Sequence, residues 1–210
     1  MVIKTLPVGY LKANCHVLAD EKSKECIVVD PGGEPEVIKA YLDENGFKCK
    51  AIMLTHAHDD HTRGVDGLME LTGCLCYMHK GDVGLQMRRR IKGGYEMYNC
   101  FPEPENIQFF ADGDEFKVGE LTVKIIETPG HTMGGVTIAC NDVLFTGDTL
   151  FKCSTGRADL GGDFDTELRS LKKLAELPGD YEVYPGHGDN TTLSFEREYN
   201  PYMKQGMAKE

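Results

Sequence analysis

The stretch THAHDDHTRG, Thr55 to Gly64, places three imidazoles (His56, His58, His61) and two carboxylates (Asp59, Asp60) within six residues. Burying such groups without partners costs several kcal/mol each, so the fold must supply something that pairs them. The residues just before the cluster, AIML at 51–54, form a short apolar run that reads as a buried strand. The cluster therefore begins where a strand ends.

Three other strand-like runs end the same way. LTVKIIE runs into Thr128-Pro129-Gly130-His131, VLFT into Gly147-Asp148, and YEVY into Pro185-Gly186-His187. Each delivers a histidine or aspartate from a tight, mostly glycine-containing turn. Loops held by a rigid scaffold are where sites are usually built. If these ends gather at one edge, five imidazoles and two carboxylates converge. Imidazole and carboxylate are ligands for zinc and related divalent ions. One ion takes three or four of them, and two ions sharing a carboxylate would use all seven. The positive charge then makes the crowded carboxylates favourable. His16 and His79 lie outside this pattern and read as structural.

The rest of the chain alternates strands and helices. VIKTL (2–6), CHVLA (15–19) and CIVVD (26–30) are strand-like, and the last runs into the turn Pro31-Gly32-Gly33. Val37, Ile38, Tyr41 and Leu42 fall at helical spacing, with Gly46 as the stop. A helix follows at Val65 to Thr72 and a strand at 74–78. Residues 80–106, rich in glycine, proline and tyrosine, read as a long functional loop. Within it, Arg88-Arg89-Arg90 with Lys92 reads as a solvated helix face, or else as a patch for an anionic substrate. IQFF, EFKV, LTVKIIE, VTIAC and VLFTG continue as strands. DTELRSLKKLAELPG is a helix with Leu168, Leu171, Leu174 and Leu177 on one stripe, and SFEREYNPYM is a short closing helix. Strands first and then a helix in each half suggest two sheets sandwiched between helices.

The 210 residues, 40% of them hydrophobic, are enough for one domain spanning 1–210 with a sizeable core. A net charge of −11 disfavours nucleic acid as a partner. The N-terminus has no signal-peptide pattern and no apolar run is long enough to cross a bilayer, so a cytoplasmic protein without membrane contact is expected. None of the eight cysteines forms a C-x-x-C pair, and reduced core thiols are the expectation.

With these residues in view, the chain resembles a metallo-β-lactamase-superfamily hydrolase. THAHDDH matches that superfamily's T-H-x-H-x-D-H motif, and the resemblance covers nearly the whole sequence. It implies an α/β fold, a four-layer αββα sandwich with metals at one edge. It further implies His56, His58 and His131 as ligands of a first metal, Asp60, His61 and His187 as ligands of a second, and Asp148 as the bridge. Asp59 occupies the variable position and is not expected to bind. FKCSTGRADLGGD (151–163) and PGHGDNTTLSFEREYNPY (185–202) are similar to the single-domain glyoxalase II-like, or hydroxyacylglutathione hydrolase-like, enzymes. Asp30 matches a recurring acidic position there, with a role supporting a ligand histidine or simply capping a turn. Arg157 and Asp159 read as a pair shaping the loop after Asp148, with substrate contact by Arg157 as the other reading. His58 is not glutamate, unlike the flavodiiron oxygen reductases. Asp148 is absent from the lactamases proper, and the extra segments of the nuclease branches are missing.

The implied chemistry is hydrolysis of a small-molecule thioester of the S-lactoylglutathione type. Two divalent ions, zinc with iron or manganese as the other choices, would lower the pKa of a bridging water toward about 7. Asp60 would orient the resulting hydroxide and take up its proton. A thiolate leaves readily, so no strong general acid is needed. Substrate grip is expected from Tyr95, Tyr98 and Arg157. Two rival readings stay open at this stage. One is a mononuclear iron, persulfide dioxygenase-like oxidoreductase. The other is a non-catalytic metal-binding or sulfur-sensing module.

Overall fold

The computed structural model describes residues 1–92, 94–100 and 107–209; the side chains of residues 87–91, 95 and 98 are outside that description. The chain runs β1 (Val2–Val8), β2 (Ala13–Ala19), β3 (Glu25–Val29), α1 (Pro35–Glu44), β4 (Lys48–Met53), α2 (Asp59–Thr62), α3 (Val65–Thr72) and β5 (Leu75–His79). A single 3-10 turn, Lys80–Asp82, leads to β6 (Gln86–Ile91), β7 (Gly94–Asn99) and β8 (Ile107–Phe110). Then come β9 (Glu115–Val118), β10 (Leu121–Glu127), β11 (Val136–Cys140), β12 (Val143–Gly147), α4 (Phe164–Ala175), β13 (Glu182–Pro185), β14 (Thr191–Thr192), α5 (Leu193–Tyr199) and α6 (Pro201–Met207).

Two six-stranded sheets result, ordered β1-β2-β3-β4-β5-β8 and β14-β13-β12-β11-β10-β9. Strand alternation sorts side chains into three cores. Leu18, Ile27, Val29 and Met53 of the first sheet face Val123, Ile125, Ile138 and Phe145 of the second. The intervening residues Val17, Val28, Ile52 and Leu54 point outward onto Ile38 and Leu42 of α1 and Val65 and Leu68 of α3. Leu144 and Val183 of the second sheet point outward onto Leu168, Leu171 and Leu174 of α4, Leu193 of α5 and Met203 of α6. The layers are therefore helix, sheet, sheet, helix, the αββα sandwich expected. Both faces of the inner strands are covered, which is why their sequences read as continuous apolar runs.

Three sequence expectations need correction. The segment after β5 is not simply a loop: β6 and β7 pair as an antiparallel hairpin, with Arg90 opposite Tyr95 and Met87 opposite Tyr98. Arg88 to Arg90 thus lie on a strand and not on a helix face, and cross-strand pairing overrides the helical reading of that basic run. The remainder of that loop reading, Gly93 and residues 101–106, lies outside the described residues. β8 joins the first sheet, parallel to β5, so the chain enters the second sheet only at β9. The closing helix is two helices, broken at Asn200-Pro201. Proline at the start of α6 has no N–H to continue α5, and the Asn200 side chain caps the new helix by accepting from Tyr202 and Met203 N–H. Among the described residues no helix is long and apolar enough to cross a membrane. All eight cysteines are free thiols, and Cys153 alone of the eight is exposed.

Candidate metal centre

Every functional turn leaves the C-terminal end of a strand. Asp30 follows β3, His56 and His58 follow β4, Asp82 ends the turn after β5, His131 follows β10, Asp148 follows β12 and His187 follows β13. Because β3, β4, β5 and β8 run parallel and β12 runs parallel to β13, these ends lie on one edge of the sandwich. Asp60 and His61 come from α2, one turn of helix that begins at Asp59.

Three ligand-like groups form there; in one of them, Asp30 with His56 and His61, Asp30 is already hydrogen-bonded to His61, and the other two carry the candidate ligands. His56, His58 and His131 present one nitrogen each, and Asp60, His61 and His187 present an oxygen and two nitrogens; within each group the atoms lie within 4.8 Å of one another. Asp148 stands between them. Its Oδ2 is 3.5 Å from His131 Nε2 and 3.8 Å from His187 Nε2, and its Oδ1 is 3.4 Å from His61 Nε2. The seven side chains singled out from sequence are thus brought together. Asp59 is turned away, accepting from Arg63 (Nε 3.1 Å, Nη2 2.5 Å) and from the Tyr10 hydroxyl at 3.2 Å.

The hydrogen bonds behind the imidazoles fix their tautomers. His58 Nε2 donates to the Leu160 carbonyl at 2.9 Å, and His131 Nδ1 donates to the Arg157 carbonyl at 2.6 Å. A carbonyl can only accept, so both rings carry their proton on the outer nitrogen. Their inner nitrogens, His58 Nδ1 and His131 Nε2, then face each other as lone pairs 2.9 Å apart. His56 follows the same rule. The Thr55 hydroxyl donates to Asp30 Oδ2 at 2.6 Å and so accepts from His56 Nδ1 at 3.1 Å, which leaves His56 Nε2 a buried lone pair. Among the described residues neither that nitrogen nor Asp148 Oδ1 has a hydrogen-bond partner. Convergent lone pairs repel unless a cation lies between them, so this donor set fits a divalent metal.

Electrostatics agree. Burial, reinforced by the neighbouring imidazoles, pulls His56 well below the ordinary histidine value. Burial likewise lowers His131, to about 4, against the pull of Asp148. Burial acts downward on His61 too, but the carboxylates of Asp148, Asp30 and Asp60 outweigh it and push it up to about 9. Burial would raise Asp60, yet its contacts with His187 and His61 hold it down at about 2. Burial thus favours neutral His56 and His131, whereas the carboxylates around His61 favour its charged form.

Asp30 lies directly behind both groups. It is buried, with Oδ1 accepting from Thr55 N–H at 2.7 Å and Oδ2 from His61 Nδ1 at 3.0 Å. Through Thr55 it also orients His56. The Arg157 side chain is exposed and forms a bidentate pair with Asp159, at 2.9 and 2.7 Å. Tyr95 and Tyr98 fall on β7, and their side chains lie outside the described residues. His16 and His79 have structural partners: Thr5 and the Pro185 carbonyl for the first, Glu127 for the second.

Sequence reasoning missed Asp82, Glu167 and Glu196, all buried. Glu167 accepts from the Thr155 hydroxyl at 2.7 Å, and burial raises its pKa to about 8. Glu196 accepts from Cys153 N–H at 2.8 Å and from Asn200 Nδ2 at 2.8 Å, fastening the loop after Asp148 to α5. No spacing rule marks these positions, because the contacts that tie them to the site's loops, such as Cys153 to Glu196 and Thr132 to Asp82, join residues 43 and 50 apart.

The sequence pattern of the metallo-beta-lactamase superfamily matches residues 8–187. The chain belongs to the metallo-β-lactamase superfamily. Among superfamily relatives, it is 30% identical to the hydroxyacylglutathione hydrolase GloC of Haemophilus influenzae, over 97% of this chain and 98% of that protein. It superposes on the crystal structure of the BLEG-1 B3 metallo-beta-lactamase with a TM-score of 0.85 at 32% identity, covering 96% of this chain and 99% of that one. It also superposes on TTHA1623 in a di-iron-bound form, with a TM-score of 0.77 at 31% identity, covering 95% and 99%.

Proposed function

We propose that the protein is a dinuclear metallo-hydrolase that cleaves small thioesters of the hydroxyacylglutathione type, with His56, His58 and His131 holding one divalent ion, Asp60, His61 and His187 the other, and Asp148 bridging them. The observation that carries this reading is Asp148, whose two oxygens lie between the two ligand groups. The names of two relatives support it, one a hydroxyacylglutathione hydrolase and the other a di-iron form. Zinc, iron and manganese all suit this donor set.

When bound, two such ions supply an activated water and polarise a carbonyl oxygen. The chain does the rest. Asp30, Leu160 and Arg157 hold three ligand imidazoles in fixed orientations through the hydrogen bonds described above. Asp60 stays anionic at neutral pH and is suited to orient a water by accepting its hydrogen bond. A carboxylate held so low keeps a proton only weakly, so orientation is its larger role. The departing thiolate needs little protonation.

The test is metal quantification on protein purified from its own host, with S-lactoylglutathione hydrolysis followed in the same sample. Two ions per chain and turnover abolished by a chelator are expected. One iron per chain with oxygen consumption would replace this reading by the dioxygenase-like one. Bound metal without turnover on any thioester would leave a binding module.

A further inference from the structure

Asp82 ends the short turn after β5, outside every motif that marks the site. It is 2% exposed, and all three of its side-chain partners belong to the two turns that carry His56, His58 and His131. Oδ2 accepts from the Ala57 N–H at 2.9 Å and from the Thr132 hydroxyl at 2.9 Å; Oδ1 accepts from the Gly134 N–H at 2.7 Å. Ala57 is the residue between His56 and His58, and Thr132 follows His131. The β4 turn sits in one sheet and the β10 turn in the other, and among the described residues this carboxylate accepts hydrogen bonds from both.

The packing around it leaves no slack. A Cβ on Gly134 would stand 2.5 Å from Asp82 N and 2.6 Å from Oδ1, and one on Gly81 would stand 2.9 Å from Gly134 Cα. The β10 turn can approach the acceptor this closely only because position 134 is glycine. By contrast, among the described residues none of the Asp82 partners lies on α2, which carries Asp60 and His61, or on the turn that carries His187. Asp30, also a buried carboxylate, reaches His61 directly and His56 through Thr55, so it serves both groups.

We infer that Asp82 is a positioning residue for the three-histidine group alone. It holds the His56/His58 turn and the His131 turn at the separation that lets three lone pairs meet one ion. This rests on the reading of the site as a metal centre. Removing the acceptor should let the two turns separate and weaken the ion held by His56, His58 and His131, while leaving the ion held by Asp60, His61 and His187 in place. Partners that orient ligands in this way typically change metal affinity 10- to 100-fold.

The test is competitive titration of zinc against a chelator in wild type, Asp82→Asn and Thr132→Val, with thermal melting of each metal-free protein. Asn keeps the shape but offers one acceptor oxygen and an N–H that opposes a backbone donor. Thr132→Val removes one of the three hydrogen bonds and keeps the volume, so it serves if Asp82→Asn does not fold. The expected result is a 10- to 100-fold loss of affinity for one ion in Asp82→Asn, a smaller loss for the same ion in Thr132→Val, and no change for the other. In a His187→Ala background, which keeps the three-histidine group, Asp82→Asn should still weaken the remaining ion. In a His131→Ala background it should have no further effect. Equal weakening of both ions, or unchanged affinities with a lowered melting temperature, would overturn the inference and leave Asp82 a fold residue. A wild type that binds a single ion would instead sink the dinuclear reading, and the effect of Asp82→Asn on that ion would still decide the role of Asp82.

Discussion

Replacing Asp30 with Asn separates orientation of the ligands from ordinary turn capping. The carboxylate accepts three hydrogen bonds, two from Thr55 and one from His61 Nδ1. Asn can keep its oxygen toward only one side. With the oxygen on the Thr55 N–H, its amide points N–H at His61 Nδ1–H, and two donors face each other in a fully buried place. His61 has one escape, which is to move its proton to Nε2 and accept from the amide through Nδ1. That shift places a proton on the nitrogen facing Asp148 and Asp60, where a cation would bind. The other outcome leaves a buried N–H unpaired, at about 1–3 kcal/mol. Either way the ion served by His61 should weaken 10- to 100-fold, or about 1.4–2.8 kcal/mol. Chelator competition reads the affinity, and melting of the metal-free protein reads the stability. A turn cap would lower the melting temperature and leave both affinities alone. If Asp30→Asn holds two ions as tightly as wild type, the tautomer argument is wrong.

Three further outcomes follow from the same geometry. Asp148→Asn puts a neutral amide between the two ligand groups, and thioester turnover should fall about a hundredfold or more with loss of bound metal; retention of both ions and near-wild-type rate in steady-state assays would refute the bridging assignment. His16 is 1% exposed and burial pulls its pKa down to about 4, whereas the unfolded chain titrates near 6.5. The unfolded state therefore binds the extra proton between these values, so the stability from keeping His16 neutral is present above about pH 6.5 and is lost as pH falls toward 4, about 3 kcal/mol in all. Denaturant melts from pH 7 to 4 should show a shallower decline for His16→Asn than for wild type, and parallel curves would exclude it. Gly130 has φ +147°, and a Cβ there would stand 2.2 Å from Glu167 Cα; Gly130→Ala should lower stability by about 2–4 kcal/mol in denaturant titration, and a neutral result would mean that α4 does not press on the His131 turn.

What the sequence made legible was whatever it writes as a local pattern. The αββα layers were readable because continuous apolar runs at 17–19, 26–29 and 51–54 mark strands covered on both faces, whose side chains the structure distributes to two cores. The candidate ligands were readable because His131, Asp148 and His187 each follow a strand end beside a glycine, and the other four are packed into six residues after β4. The β6–β7 hairpin was not, because Gln86 to Ile91 carries a basic run with no strand-like alternation, and only pairing with Gly94–Asn99 makes it a strand. Asp82 was hidden for a deeper reason. Its partners are 25, 50 and 52 residues away, and an acceptor of backbone N–H groups leaves no mark on the residues that donate to it. Only Thr132 and the glycine at 134 betray the contact, one as a hydroxyl donor and the other as a space left empty.

That difference in legibility follows from what each residue does. A metal ligand must be of one chemical type at a fixed distance from a strand end, so its constraint is local and shows in the chain. A residue that sets the distance between two such turns is constrained by both of them and by neither alone. The three inner nitrogens of His56, His58 and His131 lie on turns from different sheets, and the close packing between those sheets fixes their relative position only as far as side-chain fit allows. Directional hydrogen bonds of 2.7–2.9 Å to one carboxylate constrain it further. The lone pairs that make the site fit a cation also make it costly to assemble without one, so the acceptor that holds them together stabilises an arrangement the ligands alone would oppose.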